Sequence, residues 1–324
     1  MIARFAIPFF FLMGLVVVPA AVALLCRWLL PRRIRRRAML ACTFIIWGVV
    51  AYGFFVGFQQ FRVRRVELAF SDLPVAFDGY RIVQFSDAHV GTLTGSRQWM
   101  LQRAVDSINA QRADAIVFTG DMQNVYPDEL PPQAPYFRRL KARDGVFAVL
   151  GNHDYAVYQN VHAVHKERHC QETKENLRSM GFDLLLNEHR IIRRGSDSIV
   201  MAGMENWGKV RRMPRRGDVR TTLAGLAGSP ASEAPFVVML QHDPTCWREH
   251  ILPECGAQLT LSGHTHGGQM ALFGFSLVAL SYDEWGGSYR EADRVLYVST
   301  GLGGLIPFRL GQPGEIVVIT LRKK

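Results

Sequence analysis

Five apolar runs in this chain each end abruptly in a short polar motif. Residues 81–86 (RIVQFS) lead into Asp87-Ala88-His89, residues 115–119 into Gly120-Asp121, and residues 146–150 into Gly151-Asn152-His153-Asp154. Residues 236–241 lead into His242, and residues 257–262 into Gly263-His264-Thr265-His266. Continuous apolar runs of about four to eight residues suit strands buried on both faces. Between the first two runs, Trp99, Leu101, Val105 and Ile108 fall at near-helical spacing within residues 98–111, and residues 136–142 offer a shorter helical stretch before the third. A β-α-β-α-β order implies parallel strands in one sheet. Open sheets of this kind gather ligand sites beyond the carboxyl ends of their strands. The polar motifs are therefore expected to meet along one edge.

Later in the chain, residues 162–180 again show helical spacing, and strand-like runs occur at 182–187, 198–204, 294–299 and 315–321. Helices become fewer, which points to a second, partly antiparallel sheet. The expected fold class is α/β, a two-sheet β-sandwich flanked by helices. Residues 61–79 form a linker and lead-in strand ending in the Asp78-Gly79 turn signal. Pro131-Pro132 and the Gly/Ala/Ser/Pro-rich stretch 224–235 are expected surface loops.

The first 60 residues differ in character. Residues 5–30 and 39–58 are almost free of charge, and each supplies the about 20 apolar residues a helix needs to cross a bilayer. Pro8 and Pro19 are tolerated in such helices. A cleaved signal peptide ending at Ala21-Val22-Ala23 is the competing reading, but the apolar run continues to Leu30 and a second one follows. Two transmembrane helices over residues 1–60 are expected. Their connection, residues 31–37, holds five arginines. The positive-inside rule keeps such a loop cytoplasmic and puts the globular part on the opposite side. Arg62, Arg64 and Arg65 partly oppose that bias. Arg36-Arg37-Ala38-Met39-Leu40 faintly resembles a twin-arginine export signal, which would export the domain as well.

The net charge is +10. Much of the excess lies beside the apolar segments, with a second cluster at Lys209, Arg211, Arg212, Arg215 and Arg216. Basic residues next to apolar spans suit anionic lipid headgroups. Without an interleaved aromatic platform or a nucleic-acid motif, no nucleic-acid partner is expected. The five cysteines include no CxxC pair, so neither a disulfide framework nor a thiolate zinc site is indicated.

The residue types in the motifs suit phosphate chemistry. Phosphate esters are anionic and hydrolyse slowly, so catalysis must neutralise oxygen charge and supply hydroxide near neutral pH. Two divalent cations about 3.5 Å apart do both. Carboxylate, amide and imidazole donors accept Zn, Mn or Fe. At an extended strand end, Asp87 and His89 point the same way and can clamp one ion. His264 and His266 would repeat that geometry in a loop freed by Gly263, Gly267 and Gly268. Asp121 is placed to bridge, Asn152 offers an amide oxygen, and His242 closes its own run. Singly, Asp87 can be a cap, Asp121 a turn residue and His242 structural. His162, His165 and His169 share a helical face, but Lys166, Glu167 and Arg168 around them mark it as solvated. Glu205 is assigned no role.

In this order, the elements D-x-H, G-D, G-N-H-[DE], H and G-H-x-H resemble those of the calcineurin-like metallophosphoesterase superfamily, over residues 80–321. Phe77-Asp78-Gly79, Gly267-Gly268-Gln269, and Gly301-Leu302-Gly303 through Pro307 and Arg309 are similar to a membrane-associated bacterial branch. The resemblance implies a metallophosphoesterase domain over residues 80–324 and two divalent metal ions, Mn, Fe, Zn or similar. It implies that Asp87, His89, Asp121 and His266 hold one ion, and Asp121, Asn152, His242 and His264 the other, with a metal-bridging hydroxide as nucleophile. His153 is implied as a catalytic non-ligand that contacts phosphate oxygen or protonates the leaving group, with Asp154 orienting it. The implied protein is a hydrolase of phosphodiester or diphosphate bonds. It would be a multi-pass protein of the bacterial inner membrane, with its catalytic domain on the periplasmic side.

The apolar helices and basic clusters make membrane lipid the expected partner and favour a phosphoester held at the bilayer surface, such as a phospholipid or lipid-linked diphosphate. Residues 270–280 (MALFGFSLVAL) and 302–310 are expected to be strand and core; the alternative is a groove for an acyl chain. Two other functions stay open: a tethered phosphodiesterase acting on a soluble substrate, and a non-catalytic metal-binding sensor. The complete ligand set together with His153 argues against the sensor.

Overall fold

The computed structural model describes residues 12–226 and 235–324. The start of the first apolar segment, with Pro8, and most of the expected 224–235 loop lie outside the described residues. Two helices open the described chain, α1 (Met13–Leu29) and α2 (Arg32–Phe55). Pro31, in extended backbone, breaks the helical path between them. The helical stretch Arg32–Gln59 has a mean hydropathy of 2.1, and only 17% of its most apolar window is buried, unlike a core helix. It alone among the described residues is long and apolar enough to cross a membrane; α1 is apolar but shorter.

Two six-stranded mixed sheets follow. The first has the order β1 (Phe61–Phe70), β12 (Gly314–Lys323), β2 (Arg81–Phe85), β3 (Ala115–Phe118), β4 (Gly145–Ala148), β5 (Asp183–Leu184). Strands β2 to β5 are parallel, joined through α3 (Gln98–Ala110) and α4 (Ala163–Ser179) as the alternating pattern predicts. The lead-in strand β1 runs parallel to β12 over its full length, so it is an edge strand of this sheet. The second sheet has the order β10 (Gly287–Glu291), β11 (Arg294–Val298), β9 (Leu259–Ser262), β8 (Phe236–Leu240), β7 (Asp197–Gly203), β6 (Glu188–Arg194). Its four central strands are parallel and both edge strands antiparallel.

The sheets face each other across a dry layer that includes Phe70, Ile82, Val117, Phe147, Met201, Val238, Leu261 and Tyr297. Helices α3 and α4 cover the outer face of the first sheet through Leu101, Val105, Ile108 and Leu177. The sequence reading missed β6 and β10. Both are edge strands rich in charged residues, a composition that discourages pairing with other chains and hides the alternation. The helix expected over 136–142 shrinks to one turn, Ala134–Phe137. Asn109 holds the next residues out of helical form, donating to the Arg139 carbonyl at 2.7 Å and accepting from Lys141 N–H at 2.9 Å.

Candidate metal centre

The central strands are buried at their carboxyl ends and end together, so the loops beyond β2, β3, β4, β8 and β9 converge. Hydrogen bonds extend the sheet into these loops. Asp87 N–H donates to Gly120 O at 2.9 Å, His89 N–H to Asp121 O at 3.2 Å, and Gly263 N–H to His242 O at 3.0 Å. Asp87 and His89 were expected at an extended strand end, but their backbone is not extended. Asp87 (φ 51°), His89 (φ 42°), Asp121 (φ 62°), His264 (φ 74°) and His266 (φ 54°) all lie in the left-handed region. Each such residue costs about 1–2 kcal/mol. Strain of this kind clusters where surrounding structure over-determines a functional geometry. Close approach of the loops needs glycine at two points. A Cβ on Gly151 would collide with the Asp121 carboxylate, and one on Gly263 with Ser86 Oγ and Asp87 Oδ2.

Two sets of side chains result. In the first, His89 Nε2 lies 3.3 Å from His266 Nε2, and His266 Nε2 lies 3.5 Å from Asp87 Oδ1. In the second, His242 Nε2 lies 3.2 Å from His264 Nδ1 and 3.1 Å from Asn152 Oδ1. Asp121 stands between them, with Oδ2 3.7 Å from His89 Nε2 and 3.3 Å from His242 Nε2. The seven residues named from sequence as ligands therefore come together.

Facing imidazole nitrogens hydrogen-bond only if one carries a proton. Burial disfavours the second proton that would make an imidazole a cation. It pushes His89 down to about 3, aided by the like charge of His153, and it lowers His264 and holds His266 well below the usual range. His242 moves the other way, up to about 10: burial opposes the shift, but the Asp121 carboxylate outweighs it. Buried, mostly neutral lone pairs converging on a carboxylate suit divalent cations, and the donor set of imidazole, carboxylate and amide oxygen fits them.

Neighbouring groups orient the donors. Thr119 O lies 2.7 Å from His242 Nδ1, which makes Nδ1 the N–H and leaves Nε2 facing the site. Tyr282 OH lies 2.9 Å from His264 Nε2 and leaves Nδ1 inward. Asn152 Nδ2 donates to Tyr158 OH at 2.9 Å, which turns Oδ1 toward His242. Neither tyrosine was found from sequence, since only tertiary proximity links them to the motifs.

Asp154 makes no direct hydrogen bond to the His153 ring. Its carboxylate accepts backbone N–H bonds from Asp121 (2.9 Å), Met122 (3.0 Å), Gln123 (3.3 Å) and Gly151 (2.9 Å), fixing the Asp121 loop. The His153 ring is held instead through Nδ1, 2.5 Å from Asn124 O, with its centroid 4.8 Å from that of His89. His162 and His165 are exposed and His169 pairs with Gln159, in keeping with a solvated face. Glu205 accepts from Tyr155 OH at 3.2 Å and Asn187 Nδ2 at 3.3 Å.

The two late apolar stretches part ways. Leu302, Phe308 and Arg309 are buried. The Arg309 guanidinium, pushed down to about 10 by burial, donates to the carbonyls of Thr300, Gly301 and Gly303. Gly303 N–H in turn donates to Asp87 O at 2.9 Å. Residues 270–280 were expected in strand and core, yet Leu272, Phe273, Phe275, Leu277 and Leu280 are exposed.

The sequence pattern of the calcineurin-like phosphoesterases matches residues 80–268, which span both sets of side chains. The chain belongs to the calcineurin-like phosphoesterase family. The family pattern and relatives named as a metallophosphoesterase and a pyrophosphatase support a hydrolase acting on phosphoric ester bonds. It is 32% identical over 288 residues to the transmembrane protein with metallophosphoesterase domain of Danio rerio, covering 86% of this chain and 62% of that protein. The chain thus spans less than two thirds of that relative's length. It is 31% identical over 257 residues to the uncharacterized metallophosphoesterase YkuE of Bacillus subtilis, covering 77% and 82% respectively. It is 27% identical over 302 residues to the UDP-2,3-diacylglucosamine pyrophosphatase LpxG of Chlamydia trachomatis, covering 76% and 86%. The transmembrane relatives and the apolar helix α2 together point to membrane association.

Proposed function

We propose that this phosphoesterase is membrane-anchored and hydrolyses phosphodiester or diphosphate bonds of a lipid-linked substrate at a two-metal site. The observation that carries the reading is the pair of facing imidazole sets on either side of the Asp121 carboxylate. Asp87, His89, Asp121 and His266 would hold one ion, and Asp121, Asn152, His242 and His264 the other. When bound, such ions supply Lewis acidity toward phosphate oxygens and acidify water enough for attack near neutral pH. The chain's own residues do the rest. Asp121 shares its carboxylate between the two sets, and Tyr282, Tyr158 and Thr119 hold three donors in their working orientation. His153, with Nδ1 donating to Asn124 O, turns Nε2 toward the site, where it can hydrogen-bond a phosphate oxygen or hold the proton a leaving group takes.

The anchor reading assigns residues 1–60 to two membrane helices and 80–324 to a domain outside the cytoplasm, with the lead-in at 61–79 adding its edge strand β1 to that domain. The arginine-rich connection at 31–37 supports that orientation. The lipid-linked substrate is supported by α2 and by the likeness to a pyrophosphatase named for a diacylated sugar nucleotide. Full-length protein with Mn²⁺ would be given a diacylated sugar-nucleotide diphosphate in mixed vesicles, beside bis-p-nitrophenyl phosphate in solution. Faster turnover of the lipid is expected. Turnover of the soluble ester alone would instead favour a tethered enzyme with a soluble substrate.

A further inference from the structure

The apolar turn just after His266 is out of place on a water-facing surface. Leu272 N–H donates to Phe275 O at 2.9 Å, and Phe275 N–H donates back to Leu272 O at 3.0 Å. Between them stand Phe273 (φ 54°) and Gly274 (φ 83°). Two positive φ values in succession mark a tight hairpin turn that favours Asn-Gly or Asp-Gly. A bulky residue in that conformation is a genuine outlier. Here the tip carries a fully exposed Phe273. Ser276 then caps a short helical turn, Leu277–Leu280, whose Leu277 and Leu280 are also exposed. The loop is not loose. Ser276 Oγ donates to Gly267 O at 2.9 Å, and Ala271 N–H donates to Leu310 O at 2.8 Å.

This surface is continuous with the foot of α2. Met270, at the base of the turn, packs with Ile306 and Leu310 against the cluster of Val50, Phe54 and Phe308. Arg309 N–H donates to Gly53 O at 3.1 Å, and a Cβ on Gly53 would collide with the Phe308 ring. Beyond that contact, Tyr52, Phe55 and Val56 at the end of α2 are exposed. Across the site, Met213 Sδ lies 4.0 Å from Tyr158 OH, which brings exposed Arg211 and Arg212 to the rim. Exposed apolar side chains flanked by arginines, and fixed to an apolar helix, suit an anionic bilayer surface.

We infer that the turn at residues 272–280 seats in the membrane interface as a second contact beside α2, so that the phosphoester site opens onto the headgroup plane. This rests on the anchor reading above. It adds that the domain is held against the lipid rather than merely tethered near it. It also gives the strained Phe273 a role that an Asn at this turn could not fill.

Full-length protein in phosphatidylcholine/phosphatidylglycerol vesicles carries the test. A polarity-sensitive fluorophore is attached to Phe273→Cys and, separately, to Val75→Cys. Val75 is exposed and precedes the opposite end of β2 from the site. The signal of the labelled parent protein, which reports the native thiols, is subtracted. Seating in the interface should blue-shift the Phe273→Cys label and let lipids with a nitroxide near the headgroup quench it, and leave the Val75→Cys label as in water. Equal, water-like signals from both sites overturn the inference. So does shielding without lipid quenching, accompanied by cross-linking between copies, which makes the turn a self-interface. An alkaline carbonate wash separates the two claims. Protein that stays with the vesicles while its Phe273→Cys label remains in water refutes the interfacial turn alone. Protein released by the wash refutes the anchor and the inference together.

Discussion

Tyr282→Phe removes one hydroxyl and isolates one metal set. The hydroxyl lies 2.9 Å from His264 Nε2, and the His264 side chain is only 9% exposed. Without the partner, the ring loses the bond that keeps Nδ1 pointed inward, and solvent replaces that bond poorly. A hydrogen bond in this setting contributes about 1–1.5 kcal/mol, close to a factor of ten in affinity. Groups behind metal-ligating histidines give losses of about 10–100-fold. Calorimetric titration of the metal-free protein with Mn²⁺ should therefore resolve two classes, one weakened about tenfold and one unchanged. The unchanged class is the set of Asp87, His89 and His266, which Tyr282 does not touch. Turnover of bis-p-nitrophenyl phosphate should fall at limiting Mn²⁺ and recover in excess. Equal weakening of both classes, or lost turnover that excess metal fails to restore, would refute this assignment.

Three further outcomes are expected. Asp154→Ala should destabilise the metal-free protein by about 3 kcal/mol in thermal unfolding, because four buried backbone N–H groups lose their shared acceptor. Unchanged stability with reduced turnover would restore the idea that Asp154 serves His153. Chelation should lower the Tm of the wild-type protein by about 10 °C, since each ion at a hundred times its Kd stabilises the folded state by about 2.7 kcal/mol. A Tm indifferent to chelator would mean that the converging imidazoles bind no ion. Phe273→Asn should stabilise the fold in detergent by about 1 kcal/mol through relief of left-handed strain. A loss of stability would show that the Phe273 ring makes contacts that outweigh the strain.

The strands that end at the site were legible because they are buried on both faces and therefore run as unbroken apolar stretches, each cut off by a polar motif. The edge strands β6 and β10 were not, because charged residues such as Arg193 and Arg290 at a sheet edge follow solvent rather than a period of two. The ligand candidates were legible as residue types in order. Their backbone was not: five of them sit at positive φ, a conformation that Asp and His seldom adopt and that the crossing hydrogen bonds of neighbouring loops impose. Tyr158 and Tyr282 escaped for a related reason. Their hydroxyls matter only because folding brings them beside Asn152 and His264. Residues 270–280 were misjudged because an apolar stretch looks the same in sequence whether its side chains face a core or, as with Phe273, point away from one.

The central claim is that Asp121 joins the two halves of one metal site. Metal content and hydrolysis of bis-p-nitrophenyl phosphate, measured on full-length wild-type and Asp121→Ala proteins with added Mn²⁺, test it most directly. The account predicts close to two ions per wild-type chain, with metal-dependent turnover that falls at least about a thousandfold in the variant as both sets lose their shared carboxylate. A wild-type protein without bound metal or turnover, or a variant that keeps both, would contradict it.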